Sequence, residues 1–326
     1  MLNKFYNQKV AITGGAGLIG SFLVDHLVEA GAKVIVIDDF SKGSIKNLKH
    51  NFNNIEIRKG NLENTCFTKQ ALLDCKIVFH LASRAYGIGY EKGNQVDILL
   101  HNERITNNLI EAFKSSKPEH VLITSSSCVY SDEGPEQSKE TEELIGIPEK
   151  ANLSYGWSKR FLEQKMSIVP KNIIKNLYIV RPFNIYGERY KWQGEYSQAI
   201  PMILKKILDG NNPANIWGSG KQKRTYVHAY DCAFILTQIM EKEYTKTPVN
   251  IGYDNLLSIK ELAETICKLS GLVTELSFDK TKPEGRFIKS ADTTILKQVL
   301  GKKFEPTINF EEGIKRMLKW YETNFK

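Results

Sequence analysis

Two side chains that could act together on a proton lie four residues apart, in the segment Tyr155-Gly156-Trp157-Ser158-Lys159. On a helix this spacing places the phenol and the ammonium on the same face. A tyrosine with a pKa near ~10 is a poor base at neutral pH unless positive charge stabilises its phenolate. Lys159 could supply that charge. Taken alone, however, a tyrosine and a lysine at this spacing are equally expected on an ordinary helix surface without any catalytic role.

A second group of reactive side chains comes just before this helix, where residues 125–128 read Ser-Ser-Ser-Cys at the end of a predicted strand. Active-site groups gather at strand ends in open α/β sheets, so we expect Ser126, Ser127 and Cys128 near Tyr155. A thiol with a pKa near ~8.5 could exchange protons with a carbon acid. The competing interpretation of Cys128 is a small buried residue without chemistry.

A glycine-rich loop, with Gly14, Gly17 and Gly20, follows the first predicted strand and opens the first predicted helix. Glycines permit a tight turn and a close approach to a pyrophosphate, and the helix N-terminus supplies amide donors and a positive dipole end. Leu18 and Ile19 lie inside the same loop. Although the spacing differs from the commonest dinucleotide fingerprint, its position between strand and helix indicates a dinucleotide site.

The second predicted strand ends in two carboxylates, Asp38 and Asp39. A carboxylate at this point can accept both ribose hydroxyls of an adenosine and would repel a 2′-phosphate. We therefore expect NAD rather than NADP as the cofactor. Asp38 is the favoured ligand, and one of the two could merely cap a turn.

The elements that must position these groups alternate along the chain. Short β-branched runs predict strands at 9–13, 33–38, 55–59, 77–81, 120–125 and 176–181. Amphipathic spacing predicts helices at 17–30, 68–73, 95–115 and 155–168. This alternation is typical of parallel βαβ units and predicts an α/β fold with a doubly wound, Rossmann-type parallel sheet.

After residue 182 the regular alternation of strand and helix patterns gives way to irregular segments with Gly, Pro, Trp and Tyr. We expect a smaller mixed α/β lobe there. Helices are predicted near 229–241, 258–270 and 310–321. The predicted division gives residues 1–182 to the dinucleotide domain, with 227–250 returning to it. Residues 183–226 and 251–326 would form the substrate lobe.

Composition excludes several other classes of protein. No apolar run approaches the ~20 residues that a membrane span needs, and no leader pattern precedes the first strand, so a cytoplasmic location is expected. The net charge of +8 comes from dispersed lysines rather than a basic block, which disfavours a nucleic-acid partner. The five cysteines lack the spacing of a disulfide framework or a metal site, so reduced thiols and no metal are predicted.

Taken together, the motifs resemble the extended short-chain dehydrogenase/reductases over nearly the whole chain. The resemblance is carried by the glycine loop, Asp38, residues 79–82, the serine-rich strand end, the Tyr155/Lys159 pair, residues 181–187 and Asp231. It implies that Tyr155 takes a proton from a sugar hydroxyl while the ring hydrogen leaves as hydride to a nicotinamide. Lys159 would tune the phenol and hold the nicotinamide ribose, and Ser126 or Ser127 would orient the substrate.

The same resemblance implies further cofactor contacts from Asn61, Leu62, Leu81 and Ala82. Asn61 departs from the family pattern, which usually has aspartate at the adenine contact. The amide keeps a hydrogen-bond acceptor, so the contact should be tolerated.

Within this family the chain resembles the GDP-mannose 3,5-epimerases, which share a cysteine at the position of Cys128. A segment bearing Gly87 and Gly89, and the stretch 186–201, also match. The likeness implies oxidation at C4 of a GDP-manno-configured hexose or heptose, followed by proton exchange at C3 and C5. The family places a second acid/base lysine where this chain has Gln193. Either Lys191 reaches the site, or the enzyme oxidises C4 without epimerising at both C3 and C5.

Other readings stay open: a C4 dehydrogenase that releases the keto sugar, a 4-epimerase, or a dinucleotide sensor without catalysis. The resemblance also implies a diphosphate held by Arg224 and Arg286, since a guanidinium meets phosphate oxygens bidentately. Asn184 and Trp217 are weaker candidates for contacts with the sugar and the base. A homodimer through the helices predicted at 95–115 and 155–168 is expected by the same resemblance.

Overall fold

The computed structural model describes residues 2–141, 144–192, 198–282, 284–301 and 304–325. Its strands are β1 (Lys9–Thr13), β2 (Lys33–Asp38), β3 (Ile55–Lys59), β4 (Ile77–His80), β5 (His120–Thr124), β6 (Gln137–Ser138), β7 (Asn176–Pro182), β8 (Ile185–Tyr186), β9 (Ala214–Trp217), β10 (Lys223–Thr225), β11 (Val227–His228), β12 (Val249–Ile251), β13 (Leu256–Ser258), β14 (Leu276–Asp279) and β15 (Ile288–Ala291). Its α-helices are α1 (Leu18–Glu29), α2 (Thr65–Leu72), α3 (Ile88–Ser116), α4 (Leu153–Ser167), α5 (Ala199–Leu208), α6 (Ala229–Glu241), α7 (Ile259–Ser270), α8 (Thr294–Leu300) and α9 (Phe310–Phe325).

A seven-stranded parallel sheet forms the larger part of the fold, in the order β12-β7-β5-β4-β1-β2-β3. Its strands are continuous apolar runs such as Val34 to Ile37, because a parallel sheet is covered by helices on both faces. The strand order reverses between β1 and β4. This switch point opens a crevice beyond the carboxyl ends of the strands.

Alternate residues of each strand supply the two hydrophobic layers. Ile12 and Val36 pack with helices α1 and α6 on one face. Ala11 and Ile35 pack with α2, α3 and α4 on the other face. The period of two along each strand therefore places every second side chain in a different core.

Local signals mark where the helices begin and end. Gly31, with a φ of +77°, follows α1 and allows the left-handed turn that leads into β2. Ser258 and Glu261 form a reciprocal capping box at the start of α7, and Gly271 ends it in the left-handed region. These residues fix the ends of the helices that the apolar spacing predicts.

A smaller set of elements packs beside the main sheet. A four-stranded sheet has the order β13-β10-β15-β6, and β9 pairs with β14. Helices α5, α7 and α9 bury a second core around Trp192 and Leu204. Strand β6 comes from the loop between β5 and α4, so an early segment of the chain completes a sheet built mostly from late ones.

The predicted α/β fold with a doubly wound parallel sheet is confirmed. Helix α3 begins at Ile88, earlier than the predicted residue 95, because Gly89 and Gly93 are accommodated within it. The sequence missed β12, and the returning segment 227–250 packs on the sheet through α6. The division into two lobes at the predicted boundaries stays a prediction.

The five cysteines are free thiols. Among the described helices, none combines the length and the apolar character that crossing a bilayer requires.

Candidate active site

A cavity of about 900 Å³ lies beyond the carboxyl ends of the parallel strands. Its wall is formed by the loops after β1, β2, β4 and β5 on one side, and by residues near β9, β10 and β15 on the other. Asp38 ends β2 and Cys128 follows β5, and these strands lie three places apart in the sheet, which corresponds to about 14 Å between the strands. The crevice is therefore long enough for an extended ligand.

The glycine loop is packed so closely that side chains could not be added to it. Gly14 has a φ of +71°, and a Cβ there would lie 2.9 Å from the backbone nitrogen of Ala82. A Cβ on Gly20 would lie 2.2 Å from the carbonyl oxygen of Gly14. Gly17 is the N-cap of α1, so the free amides of the first turn open onto the cavity that Leu18 and Ile19 also line.

The two carboxylates after β2 have different surroundings. Asp38 is buried, and its oxygens accept the backbone N–H groups of Ala16 at 2.9 Å and Phe40 at 2.8 Å. Burial raises the pKa of Asp38, which these hydrogen bonds oppose. Asp39 instead accepts from the backbone and hydroxyl of Ser41 and so caps the turn, although both carboxylates line the cavity.

The remaining residues predicted for the cofactor line the same cavity. Asn61 accepts from the backbone of Glu63 at 2.8 Å, which fixes its amide beside Leu62. Leu81 and Ala82 donate their backbone N–H groups to the hydroxyl of Thr13. The loops after β3 and β4 are thus held at the cavity wall.

Tyr155 and Lys159 stand on one face of α4, at the cavity wall. The Nζ of Lys159 lies 5.5 Å from the centre of the Tyr155 ring and donates to the carbonyl of Thr124 at 2.8 Å. Burial lowers the pKa of Lys159 to about 7, which Glu163 opposes. Burial also raises the pKa of Tyr155, although hydrogen bonds with Ser126 and Ser83 act against it.

The start of α4 is held by a residue that the sequence did not suggest. Glu91, on α3, accepts the backbone N–H groups of Ser154 at 2.8 Å and Tyr155 at 3.3 Å. A carboxylate at a helix N-terminus satisfies free amides and complements the dipole. Glu91 therefore fixes the turn that carries Tyr155, and the shorter predicted helix had left it in a loop.

The serine-rich strand end forms a short 3₁₀ turn, in which the hydroxyl of Ser126 accepts the backbone N–H of Cys128 at 3.1 Å. Ser127 and Cys128 are buried and line the cavity. Lys289, on β15, donates to the carboxylate of Glu149 at 2.6 Å and approaches the sulfur of Cys128 at 3.4 Å. No sequence signal pointed to Lys289 or Glu149, because the contacts of Lys289 with Glu149 and Cys128 join residues 140 and 161 positions apart.

The sequence singles out two residues near Trp192: Lys191 as a candidate second acid/base, and Gln193 as a substrate-binding residue where the family has a lysine. Lys191 lines the cavity, and its Nζ donates to the carbonyl of Ser41 at 2.9 Å, on the loop that follows β2. Gln193 lies outside the described residues. Lys289, which no sequence pattern indicated, contacts Cys128.

The predicted substrate residues are only partly brought together. Gly87 and Gly89 begin α3, and a Cβ on Gly89 would lie 3.4 Å from the Trp217 ring, which is 45% exposed. Asn184 donates to the carbonyl of Thr225 at 3.0 Å. All four line the cavity.

The two arginines predicted to bind a diphosphate donate hydrogen bonds to different backbone carbonyls. Arg224 lines the cavity and donates to the carbonyls of Lys223 at 2.8 Å and Phe287 at 3.2 Å. Arg286 donates to the carbonyls of Gly134 and Pro135. Arg286 thus holds the 134–138 segment, and its positive charge adds to burial in lowering the pKa of Arg224.

Comparison with known proteins identifies the family. Residues 10–252 match the model described as "NAD dependent epimerase/dehydratase family". The chain belongs to this family. The predicted NAD cofactor is confirmed, and the glycine turn and Asp38 fit it because they leave room and amide donors at the strand ends.

Relatives of this NAD-dependent enzyme catalyse more than one reaction. A UDP-N-acetyl-alpha-D-glucosaminuronate decarboxylase of Bacillus cytotoxicus is 30% identical over 96% of this chain and 98% of the relative. GDP-mannose 3,5-epimerase 1 of Oryza sativa subsp. indica is 26% identical over 96% of this chain and 81% of the relative. The solved UDP-N-acetylglucosamine 4-epimerase of Methanobrevibacter ruminantium, in complex with UDP-N-acetylmuramic acid, is 27% identical with a TM-score of 0.85, covering 98% of this chain and all of that one.

Proposed function

We propose that the enzyme oxidises C4 of a nucleotide-diphosphate sugar, returns the hydride, and achieves a net epimerisation. The observation that carries this proposal is the meeting of Tyr155, Lys159 and Cys128 at one wall of the cavity that also holds the glycine turn and Asp38. A carbon acid can be handled only after an adjacent ketone has formed, so the alcohol chemistry and the thiol belong to one sequence of steps.

The residues that would hold NAD are the backbone amides at the start of α1 for the pyrophosphate, Asp38 for the adenosine ribose, and Lys159 for the nicotinamide ribose. Bound there, NAD would supply the acceptor for the hydrogen on C4. The loop residues Asn61, Leu62, Leu81 and Ala82 would complete the binding surface, with Gly14, Gly17 and Gly20 giving the backbone its close approach.

Tyr155 would take the proton of the C4 hydroxyl. Its hydrogen bonds with Ser126 and Ser83 stabilise the phenolate form, whereas burial opposes that form. The Nζ of Lys159 lies 5.5 Å from the centre of the Tyr155 ring, so its ammonium form would balance the charge on the phenolate, whereas burial, which lowers the pKa of Lys159 to about 7, opposes that form. Ser126 and Ser127 lie where they could orient the sugar hydroxyl.

The nucleotide end of the substrate would lie between Arg224, Trp217 and Asn184, with Gly87 and Gly89 leaving space beside the Trp217 ring. We propose a GDP-manno-configured hexose or heptose as substrate, supported by Cys128 and by the GDP-mannose 3,5-epimerase likeness. UDP sugars stand beside GDP sugars as candidates, because the decarboxylase and the 4-epimerase among the relatives are named for UDP sugars.

A second candidate function is oxidation followed by loss of carbon dioxide from a uronic acid, as the name of the 30% identical relative suggests. A 4-keto sugar with a carboxylate on C5 is a β-keto acid, and its decarboxylation leaves an enolate that must be protonated on C5. Arg224 and the buried Lys289, which both line the cavity, favour an anionic group on the sugar, although Glu149 already pairs with Lys289.

The deciding experiment is a panel of GDP and UDP hexoses, heptoses and uronic acids, incubated with the purified enzyme in deuterated water. An epimerised product with deuterium on C3 or C5 supports the proposal. Released carbon dioxide identifies the second candidate, and a free 4-keto sugar with accumulating reduced nicotinamide identifies a C4 dehydrogenase. Inversion at C4 without carbon-bound deuterium would indicate a 4-epimerase, and no turnover of any sugar would favour a dinucleotide sensor.

We also propose a homodimer through α3 and α4, which pack against each other within the chain. Val96 and Leu100, one helical turn apart on α3, are 68% and 46% exposed. A second copy would cover them. Light scattering should give the mass of a dimer, and Leu100→Asp should reduce it to that of a monomer; a monomeric wild-type mass would contradict the proposal.

A further inference from the structure

Three buried groups with complementary chemistry meet at the cavity wall beside Tyr155. Cys128, Glu149 and Lys289 are 8%, 4% and 6% exposed, and all three line the cavity. The Nζ of Lys289 lies 2.6 Å from the Glu149 carboxylate and 3.4 Å from the Cys128 sulfur. The contact at 3.4 Å is a hydrogen-bond distance for sulfur, so the ammonium is shared between a carboxylate and a thiol.

The backbone holds these groups in place from three separate segments. Glu149 donates its N–H to the carbonyl of Cys128 at 3.2 Å, so the loop before α4 follows the turn after β5. A Cβ on Gly156 would lie 2.6 Å from both the Cys128 carbonyl oxygen and the ring of Pro148, which leaves this loop little room to move. Lys289 enters from β15, on the opposite side of the cavity.

The charges around the thiol determine its resting form. Burial raises the pKa of Cys128 to about 12, against the lowering effect of Lys289, and Glu149 raises it further. Burial alone would lower the pKa of Lys289, but Cys128 and Glu149 raise it above its ordinary value. Three further titratable groups interact electrostatically with the thiol: Tyr155, Lys159 and Arg224. The resting cluster is therefore a neutral thiol beside an ammonium–carboxylate pair.

We propose that Lys289 is a positioning residue that makes Cys128 the proton donor to the sugar carbon next to the C4 ketone, while Glu149 holds the ammonium against the sulfur. This inference rests on the proposed oxidation at C4, and it adds the two residues that control the thiol. It is separate from the second acid/base role considered for Lys191, which would act on the other face of the sugar.

The step is balanced within the named groups. The S–H bond of Cys128 breaks and a C–H bond forms at the enolate carbon, whose electron pair becomes the new bond while the oxygen returns to a ketone. The S–H electron pair stays on sulfur as a thiolate, which the ammonium of Lys289 stabilises. In the reverse direction the thiolate removes the same hydrogen as a proton, so the thiol can carry deuterium from solvent to carbon. The enolate can arise from loss of a proton or of carbon dioxide, so the step serves both candidate functions.

The first test needs no substrate. Alkylation of Cys128 by iodoacetamide is followed as a function of pH in the full-length protein, with peptide mass spectrometry to separate it from the exposed Cys66. In Lys289→Met the midpoint should rise by at least about one pH unit, which slows the reaction about tenfold at a fixed pH. In Glu149→Gln the midpoint should fall, because the ammonium is no longer shared with a carboxylate. Lys289→Arg should restore the wild-type midpoint.

The matched control is Lys297→Met, which breaks an exposed pair with Asp254 of the same 2.6 Å length and should leave the midpoint unchanged. Opposite shifts in Lys289→Met and Glu149→Gln support the proposal, because a general loosening of the cavity would move both variants in one direction. Shifts of the same sign, or a wild-type midpoint in Lys289→Met, would overturn it.

The second test uses a sugar that the wild-type enzyme oxidises. In Lys289→Met the rate of deuterium incorporation next to C4 should fall at least about tenfold more than the single-turnover rate at which reduced nicotinamide forms. Equal deuterium incorporation in the two proteins would overturn the inference while leaving oxidation at C4 intact. If the wild type oxidises no sugar in the panel, the proposed function fails, and the alkylation midpoints still decide whether Lys289 controls the thiol.

Discussion

A buried ion pair behind the candidate active site gives a quantitative prediction. Arg181, on β7, donates to the Glu163 carboxylate at 2.9 and 2.7 Å, and to the hydroxyl of Tyr130 at 2.9 Å. The exposed fractions are 4% for Arg181 and 6% for Glu163. Removing the guanidinium in Arg181→Met leaves a carboxylate that water cannot reach, which typically costs about 3–5 kcal/mol of the free energy of unfolding.

This cost converts to a shift in melting temperature through the entropy of unfolding. At about 2.1 cal/mol/K per residue, a chain of 326 residues has an unfolding entropy of about 0.7 kcal/mol/K. The melting temperature of Arg181→Met should therefore fall by about 4–7 °C. Scanning calorimetry of the protein freed of nucleotide measures the shift directly.

Two further variants test the reasoning behind this number. The double variant Glu163→Gln/Arg181→Met removes both charges. It should recover a large part of the lost free energy of unfolding, because the destabilisation comes mainly from the unpaired buried carboxylate. Lys297→Met, at an exposed pair, should change stability by at most about 0.5 kcal/mol. A drop below about 2 °C in Arg181→Met, or a double variant less stable than the single one, would refute the argument.

Three other predictions concern the cofactor and the catalytic helix. Gly20→Ala should weaken NAD binding at least about tenfold in calorimetric titration, because its Cβ would meet the Gly14 carbonyl oxygen at 2.2 Å; unchanged affinity would contradict the packing argument. Tyr155→Phe should lower turnover at least about a hundredfold while NAD still binds, and a loss below tenfold would exclude Tyr155 as the base. Burial lowers the pKa of Lys159 to about 7 from 10.5, so between these pH values the unfolded chain binds more protons and stability rises with pH. Urea unfolding of the nucleotide-free protein should show that rise relative to Lys159→Met, and parallel curves would contradict it.

Most of the parallel sheet could be predicted from local patterns. The runs at β1, β2 and β3 have the same bounds in the prediction and in the structure, because continuous apolar stretches between glycines and charged residues leave few alternatives. The three-residue strand β12 could not be found in this way. It forms a strand because it pairs with the edge of β7, and this pairing depends on the tertiary structure rather than on the local sequence.

The candidate site divides in the same manner. Gly14, Asp38 and Tyr155 sit in strand–loop–helix contexts that the sequence displays, and the structure brings them to one cavity. Lys289 and Glu149 could not be predicted as site residues. Their position beside Cys128 depends on which strand from late in the sequence faces the end of β5. The diphosphate role of Arg286 stays a prediction, and its guanidinium donates to carbonyls of a neighbouring loop that the sequence could not place beside it.

Strand β6 has a consequence for recombining this enzyme with its relatives. Residues 137 and 138 pair with β15, the strand that carries Lys289, although more than a hundred residues separate them. A chimaera that exchanged everything after residue 182 would give β15 a foreign neighbour and would separate Lys289 from its native Cys128 and Glu149. Grafts of substrate preference should therefore transplant the 128–150 loop together with β15, as one inherited unit.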